Sequence, residues 1–318
     1  MDKHIKIYIA GHRGLAGSAI VRELQRQGYT NLVTRTHAEL DLEDAAATQR
    51  FFEEERPELV FLAAAKVGGI HANNTYPVNF LMSNLLIEAN VCRAAYAVSV
   101  NRLIFLGSSC IYPRDCPQPI KEEYLLTGPL EATNRPYALA KIAGIEMCWS
   151  YNRQYGTKWL AAMPTNLYGP GDSYDLNNSH VLPALIRKMH EAKISGAEEV
   201  VLWGSGTPKR EFLYVDDLAN ALVFLATLDD ARYDELVEPS RCPLINVGSG
   251  KDLTIRELAE TVAGVVGYQG KFVQDTSKPD GTMRKVMDVS RLNNLGWEPK
   301  TLLREGIFLS YQDLMGRV

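Results

Sequence analysis

The chain has 318 residues, of which 46% are hydrophobic and 23% are charged, as in globular proteins that bury a substantial core. This composition excludes an intrinsically disordered, collagen-like or disulfide-scaffold chain. The 34 basic and 38 acidic residues give a net charge of −4. Because the basic excess that nucleic-acid binding needs is lacking, we expect no nucleic-acid partner.

The sequence carries no signal for metal binding or membrane insertion. Its five cysteines are scattered and lack the CxxC or Cys/His spacing of a zinc site, so we expect reduced thiols and no bound metal. No apolar stretch approaches the roughly 18 residues of a membrane span, and the N-terminal residues do not resemble a signal peptide. These features predict a cytoplasmic protein with no membrane partner.

Short apolar runs alternate with helix-compatible stretches through the first half of the chain. The predicted strands are residues 5–10, 31–34, 59–65, 102–107 and 159–163, and the predicted helices are residues 15–28, 43–56, 76–98 and 138–155. Because strands and helices alternate at this spacing, the pattern predicts a Rossmann-type α/β fold, a doubly wound parallel sheet covered by helices on both faces.

A turn-rich segment after Pro164 indicates a domain boundary. Two later segments, a helix at 215–228 and a strand at 244–247, are expected to return to the first sheet. We therefore predict two interleaved domains. Residues 1–169 and 215–248 form the Rossmann domain, and residues 170–214 and 249–318 form a smaller, discontinuous α/β domain that binds the substrate.

A glycine-rich loop follows the first predicted strand and begins the first predicted helix. Its residues are Gly11, His12, Arg13, Gly14, Leu15, Ala16 and Gly17, and the GxxGxxG spacing is one residue off the usual GxGxxG. In such loops glycine turns the chain tightly, lets backbone N–H groups approach a pyrophosphate, and lets the helix pack on the sheet. The alternative is an ordinary tight turn, but the position at the first strand–helix junction favours a dinucleotide site.

The residues after the second predicted strand indicate which dinucleotide binds. Enzymes that select NAD usually place an acidic residue there, whereas this chain has Thr34, Arg35, Thr36 and His37. Arg13, Arg35 and His37 supply positive charge for a 2′-phosphate, so we predict NADP(H) as the cofactor. The alternative is that Arg35 and His37 are solvated loop residues.

A YxxxK pair, Tyr137 and Lys141, lies at the N-terminal end of the helix predicted at 138–155. At the spacing i and i+4 the two side chains lie one above the other, so the Lys141 ammonium is predicted to lower the pKa of the Tyr137 phenol. Ser108, at the end of a predicted strand, supplies a hydroxyl that orients a carbonyl oxygen. Although YxxxK is common in helices, these three residues together predict hydride transfer at a carbonyl or alcohol carbon.

Motifs along nearly the whole chain resemble those of the extended short-chain dehydrogenase/reductase family. Besides the glycine loop and the YxxxK pair, they are residues 63–69 (AAAKVGG), 107–113 (GSSCIYP), 164–170 (PTNLYGP), 178–188 (NSHVLPALIRK), 203–208 (WGSGTP) and 278–282 (KPDGT). The resemblance is more specific to the members that epimerise and reduce GDP-4-keto-6-deoxy-D-mannose to GDP-L-fucose. Cys110 and the 178–188 segment carry that specificity, because the glycine loop and YxxxK occur throughout the family.

The resemblance implies two further acid/base residues, Cys110 and His180. A 4-keto sugar has acidic protons on C3 and C5, and inverting either centre needs a base on one face and an acid on the other. A thiolate forms near neutral pH when positive charge is close, and histidine titrates in the same range. From the residues alone, each would instead be an ordinary buried thiol or a satisfied polar side chain.

The resemblance also implies which residues bind the two ligands. For the substrate they are Ser108, Ser109, Lys188, Trp203, Arg210 and Asp280. For the cofactor they are the glycine loop, Arg35, His37, Leu42, Leu106, Gly107, Lys141, Pro164, Thr165, Asn166, Leu167 and His180. Lys188 stands where close relatives tend to have arginine, so a charge is retained but the bidentate fork is lost. The ordinary alternatives are that Lys188 is a solvated surface residue and that Trp203 is a core residue.

Three functional interpretations therefore remain. The first is an NADPH-dependent epimerase and reductase of a GDP-linked 4-keto sugar. The second is a 4-epimerase or dehydratase of the same family, which retains NAD and returns the hydride to the sugar. The third is a non-catalytic NADP-sensing protein. The resemblance further implies a homodimer, for which the helices at 76–98 and 138–155 are the candidate contact surfaces.

Overall fold

The computed structural model describes residues 1–176, 179–277 and 280–317. Asn178, Lys278 and Pro279 of the motifs quoted above lie outside the described residues. The strands are β1 (Ile7–Ala10), β2 (Leu32–Val33), β3 (Leu59–Leu62), β4 (Arg102–Leu106), β5 (Lys158–Pro164), β6 (Asn166–Tyr168), β7 (Glu199–Trp203), β8 (Lys209–Tyr214), β9 (Leu244–Val247), β10 (Asp252–Thr254), β11 (Lys271–Asp275) and β12 (Arg284–Lys285).

The helices alternate with these strands in the first half of the chain and are longest there. They are α1 (Leu15–Arg26), α2 (Ala45–Glu55), α3 (Ile70–Thr75), α4 (Pro77–Ala97), α5 (Arg135–Tyr155), α6 (Val181–Ser195), α7 (Val215–Thr227), α8 (Asp230–Leu236), α9 (Ile255–Val266), α10 (Ser290–Asn294) and α11 (Leu303–Met315). The predicted elements of the first half are confirmed, with ends that shift by up to three residues. α5 begins earlier than predicted because Pro136 fits the first turn of a helix, where no N–H donor is needed.

The larger sheet has the strand order β2-β1-β3-β4-β5-β9, and every neighbouring pair is parallel. Its strands are apolar and mostly buried throughout because helices cover both faces. Residues of α1 and α7 pack on one face, and residues of α2, α4 and α5 pack on the other. The predicted Rossmann-type fold is therefore confirmed, and the carboxyl ends of β1, β3, β4 and β5 open at one edge.

A smaller mixed sheet lies beyond this edge. Strand β8 pairs antiparallel with β10 and parallel with β6 and β12, while β7 pairs separately with β11. α6, α9 and α11 contribute to its separate core. β6 pairs with β8, and Leu292 and Trp297 pack in the core under α1, so the chain crosses between the layers more often than the four-segment division assumes. That division remains a prediction.

The helices also bear on membrane insertion. Across the described ranges, no helix combines the length and apolar character that crossing a membrane requires.

Candidate active site

The glycine loop leaves the start of α1 open for an anion. Gly11 has φ +84°, and a Cβ there would lie 2.7 Å from the backbone nitrogen of Ala64, so only glycine fits between β1 and β3. A Cβ on Gly17 would lie 2.1 Å from the carbonyl oxygen of Gly11. Gly14 is the N-cap residue, makes no side-chain cap hydrogen bond, and is followed by no acid in the first turn. The first-turn N–H groups therefore point to a space suited to a pyrophosphate.

The Nδ1 atom of His12, in the same loop, is buried and has no hydrogen-bond partner among the described residues. A buried ring nitrogen without a partner is costly unless a ligand or water completes it. The loop therefore fits a dinucleotide in both shape and unmet hydrogen-bonding capacity.

The region after β2 is more mixed in charge than its sequence suggests. Arg35 pairs with Glu55 at 2.6 Å, and His37 is 81% exposed, 3.7 Å from an oxygen of Asp41. The carboxylate of Glu39 accepts a hydrogen bond from the Thr36 amide at 2.7 Å. That hydrogen bond lowers the pKa of Glu39, and the charges of Arg35 and Arg13 lower it further. The charges of both arginines therefore reach the region around Glu39. The sequence-based expectation that no acidic residue lies near the 2′-phosphate site is not met, because Glu39 lies there.

The helix α5 carries the Tyr137–Lys141 pair to the end of β4. The Lys141 ammonium donates to the Leu106 carbonyl at 3.0 Å and pairs with Glu88 of α4 at 3.2 Å. It lies 5.9 Å from the centre of the Tyr137 ring. Burial, with the charges of Cys110 and Glu88, raises the pKa of Tyr137 well above its ordinary value. The prediction that Lys141 lowers this pKa is wrong here, because Glu88 opposes the ammonium and the phenol is shielded from water.

Cys110 lies in a short 3-10 turn directly after β4. Its backbone N–H donates to the Ser108 hydroxyl at 3.4 Å, which fixes the turn. Burial raises the pKa of the Cys110 thiol, while the charge of Lys285, the Ser108 hydroxyl and the charge of Lys141 lower it. Lys285 is in β12, in register with Arg210 of β8, so the smaller sheet carries this cation to the thiol.

His180 is the N-cap residue of α6, the first helix after β6. Its side chain is exposed to solvent on one side, and desolvation by the protein on the other lowers its pKa below the ordinary value. Among the described residues no hydrogen bond or ion pair joins His180 to Cys110. The structure brings Ser108, Cys110, Tyr137 and Lys141 together, and the position of His180 beside them remains a prediction.

The remaining substrate candidates gather around β7 and β8. The Lys188 ammonium lies 5.2 Å from the Trp203 ring, which is 63% exposed and so is not the core tryptophan of the ordinary alternative. Asp280 accepts from the Ser205 amide at 2.7 Å, and a Cβ on Gly204 would strike that carboxylate. Desolvation lowers the pKa of Arg210, and the charge of Asp280 raises it. An exposed aromatic face with one cation over it, and a second cation beside Asp280, suits a nucleoside diphosphate.

The other predicted residues lie at the same sheet edge. Leu106 and Gly107 are buried at the end of β4, and a Cβ on Gly107 would overlap Met163. Thr165 is buried, and both Thr165 and Asn166 donate to the Glu211 carbonyl, at 3.3 and 2.7 Å. Of the remaining cofactor candidates, Pro164 and Leu42 are buried and Leu167 is half-buried. The substrate candidate Ser109 is buried beside Cys110. Their contact with a ligand remains a prediction.

Comparison with known proteins agrees with this arrangement. Residues 7–237 match the NAD dependent epimerase/dehydratase family. The chain is 59% identical over 310 residues to GDP-L-fucose synthase 1 of Arabidopsis thaliana, covering 98% of this chain and 93% of that protein. It is 55% identical over 307 residues to GDP-L-fucose synthase of Escherichia coli K12, covering 96% and 95%.

A solved structure extends the similarity to three dimensions. A GDP-D-glycero-L-gluco-heptose synthase from Campylobacter jejuni, determined in the presence of NADPH, superposes with a TM-score of 0.92 at 38% identity, with 99% of both chains covered. The chain belongs to the NAD dependent epimerase/dehydratase family, a class of enzymes with which its Rossmann-type fold agrees. Within that family it falls among the GDP-L-fucose synthases, which it matches over nearly its full length.

Sequence reasoning missed three residues at this site, Glu39, Glu88 and Lys285. Glu39 follows β2 by six residues, and a longer search window after the strand would have found it. Lys285 reaches Cys110 only through the pairing of β12 with β8, which no local pattern signals. Gly144 is the one clue to Glu88, because a Cβ there would lie 2.9 Å from a Glu88 oxygen and 2.3 Å from the Phe105 ring.

Proposed function

We propose that this chain catalyses the NADPH-dependent 3,5-epimerisation and 4-keto reduction of GDP-4-keto-6-deoxy-D-mannose to GDP-L-fucose. The observation that carries the proposal is the position of Cys110. A thiol lies beside Ser108, within range of the charges of Lys285 and Lys141, at the strand end where Tyr137 also arrives. A 4-epimerase or a dinucleotide sensor needs no such thiol. The names of its relatives at 59% and 55% identity support the same activity.

The cofactor of this proposal is NADP(H). The first turn of α1 would receive the pyrophosphate, and Arg13 and Arg35 would receive the 2′-phosphate. His37, with its exposed ring, would add charge only when protonated. Residues 1–169 and 215–248 are proposed to hold this cofactor, and residues 170–214 and 249–318 the sugar nucleotide.

The epimerisation steps use the acidity that the 4-keto group confers on C3 and C5. The Ser108 and Tyr137 hydroxyls hold the carbonyl oxygen, where the negative charge of the enolate develops. The Cys110 thiolate removes a proton from one face of the ring, and Lys285 stabilises that thiolate. His180 delivers a proton to the opposite face, which inverts the centre.

The reduction step uses the same oxygen-binding groups. Bound NADPH supplies the hydride that reduces C4. Tyr137 donates its phenolic proton to the developing alkoxide. Lys141 would bind the nicotinamide ribose with a donor that the Leu106 carbonyl and Glu88 leave unused.

The nucleotide end of the substrate would lie against the second domain. The Trp203 face would stack on guanine, while Lys188 and Arg210 would bind the diphosphate. The carboxylate of Asp280 accepts from the Ser205 amide, and this contact would hold the Trp203–Ser205 turn in place.

The test replaces the proposed base. We expect Cys110→Ser to suppress deuterium incorporation from D₂O at C3 and C5 at least tenfold while NADPH affinity changes little, because the hydroxyl is a far weaker base than a thiolate. Cys116→Ser is the matched control, since Cys116 is a half-buried thiol six residues further along the chain. Undiminished incorporation in the Cys110 variant would overturn the assignment of the base.

We further propose that the protein is a homodimer joined through α4 and α5. These two helices pack side by side, and both present large apolar side chains to solvent: Val78, Met82, Leu86, Tyr96, Leu139 and Tyr155. A patch of this kind on packed helices is typical of an isologous interface. Sedimentation velocity should give a dimer for the native chain and a monomer for Met82→Lys, and a native monomer would contradict the proposal.

A further inference from the structure

A buried ion pair lies behind the proposed catalytic tyrosine, and only its lysine has a role of its own in the mechanism described so far. Glu88 of α4 and Lys141 of α5 face each other at 3.2 Å, and their side chains are only 1% and 2% exposed. Neither Glu88 oxygen has a hydrogen-bond partner among the described residues, so the ion pair with Lys141 is what compensates its charge there. The carboxylate therefore depends on one ammonium, and the ammonium's direction depends on that carboxylate.

The packing between α4 and α5 leaves room for this carboxylate. Gly144 lies one turn after Lys141, and a side chain there would strike both Glu88 and Phe105. Glycine within a helix costs about 1 kcal/mol relative to alanine, and here it makes room for a charged group. A buried pair is seldom worth its desolvation, so stability alone is a weak reason for it.

We propose that Glu88 is a positioning residue that holds the Lys141 ammonium against the Leu106 carbonyl and, by opposing its charge, keeps Tyr137 protonated as the proton donor for reduction. The ammonium has three donors; it gives one to the Leu106 carbonyl, and its charge faces Glu88 at 3.2 Å. A donor therefore remains for a cofactor hydroxyl. The inference rests on the proposed role of Tyr137 in reduction.

The electrostatic surroundings support this role. Burial raises the pKa of Glu88 to about 7, although Lys141 lowers it, and the charge of Glu88 in turn raises the pKa of Tyr137. From α5, the titratable groups that interact with Glu88 are Tyr137, Lys141 and Cys148; β4 contributes the Leu106 carbonyl and the Phe105 ring. α2 also packs on α4 but contributes no charge that changes the pKa of Glu88.

The test is the titration of the Tyr137 phenol in Glu88→Gln, followed by NMR of tyrosine labelled with ¹³C at Cζ and assigned with Tyr137→Phe. We expect the midpoint to fall by about one pH unit or more, because the Glu88 charge that raises the pKa of the phenol is then absent. The alkaline limb of kcat/KM for reduction should move down by the same amount. Glu146→Gln, an exposed glutamate of α5 that pairs with Arg153, should change neither.

The possible outcomes separate a positioning role from a structural one. A variant that loses only stability, with the Tyr137 midpoint unchanged, would overturn the inference and leave Glu88 a structural partner. If Glu88→Gln does not fold, Glu88→Asp withdraws the charge by about one bond and should still lower the midpoint measurably, and an unchanged midpoint overturns the inference. A shifted midpoint in a protein that turns over no nucleotide sugar would refute the proposed function and leave the Glu88 effect standing.

Discussion

The space around Gly17 makes the dinucleotide site testable by adding one methyl group. In Gly17→Ala the new Cβ would lie 2.1 Å from the Gly11 carbonyl oxygen, 2.6 Å from its carbonyl carbon and 2.9 Å from the His12 Cα. All three are backbone atoms, so no side chain can rotate away and the loop must move by about 1 Å to reach ordinary contact. We expect a loss of unfolding free energy of about 1–3 kcal/mol, as for other overpacked positions.

The same displacement should weaken NADPH binding by about tenfold or more, or about 1.4 kcal/mol, because the amides that receive the pyrophosphate shift with the loop. Fluorescence titration measures the affinity, and thermal unfolding measures the stability. The control is Gly28→Ala beyond the far end of α1, where φ is +85° and no atom lies within 4 Å. That variant should lose stability but bind NADPH normally. Equal NADPH affinity in both variants would mean that the clash at Gly17 does not displace the amides that receive the pyrophosphate.

Three further predictions concern charge. Lys285→Met should raise the pKa of the Cys110 thiol and slow its alkylation near neutral pH, by about tenfold for each pH unit that the pKa rises. The control Lys251→Met should leave the alkylation rate unchanged. Equal rates in the two variants would exclude an effect of Lys285. Glu39→Gln should strengthen NADPH binding about two- to fivefold without changing NADH binding, because an acid near two arginines opposes a 2′-phosphate, and calorimetry with both cofactors checks this. Burial raises the pKa of Asp172 to about 6, so its folded form holds a proton longer than its unfolded form and stability falls as pH rises from about 4 to 6. Asp172→Asn should remove that loss and so raise the free energy of unfolding above pH 6 by at most about 3 kcal/mol. Denaturant unfolding at several pH values measures this difference. An unchanged free energy of unfolding would mean that the carboxylate is well solvated.

The sequence predicted the Rossmann layer well because local patterns determine it. Strands such as β1 and β3 are continuous apolar runs, and the glycine loop and the YxxxK pair are short motifs whose geometry follows from their spacing. The strands of the smaller sheet were harder to predict from the sequence because they are short and partly exposed, as in β10 and β12. Their pairing with β8 joins segments distant in the chain.

The proton chemistry of the site depended on residues that no local pattern connects. Periodicity correctly placed Lys141 one turn from Tyr137, but it could not show that Glu88, from another helix, holds the ammonium. The predicted direction of the change in the Tyr137 pKa was therefore wrong. Likewise, Cys110 was a candidate base from its motif, while the cation that assists it, Lys285, comes from the smaller sheet.

The two proposed reactions can be followed together by incubating the purified protein with NADPH and GDP-4-keto-6-deoxy-D-mannose in D₂O and measuring both cofactor oxidation and product deuterium. We predict one NADPH oxidised per sugar and deuterium at both C3 and C5 of a GDP-L-fucose product. Deuterium-free reduction would contradict the role of Cys110. Sugar isomerisation without net NADPH oxidation would indicate instead an epimerase that returns its hydride.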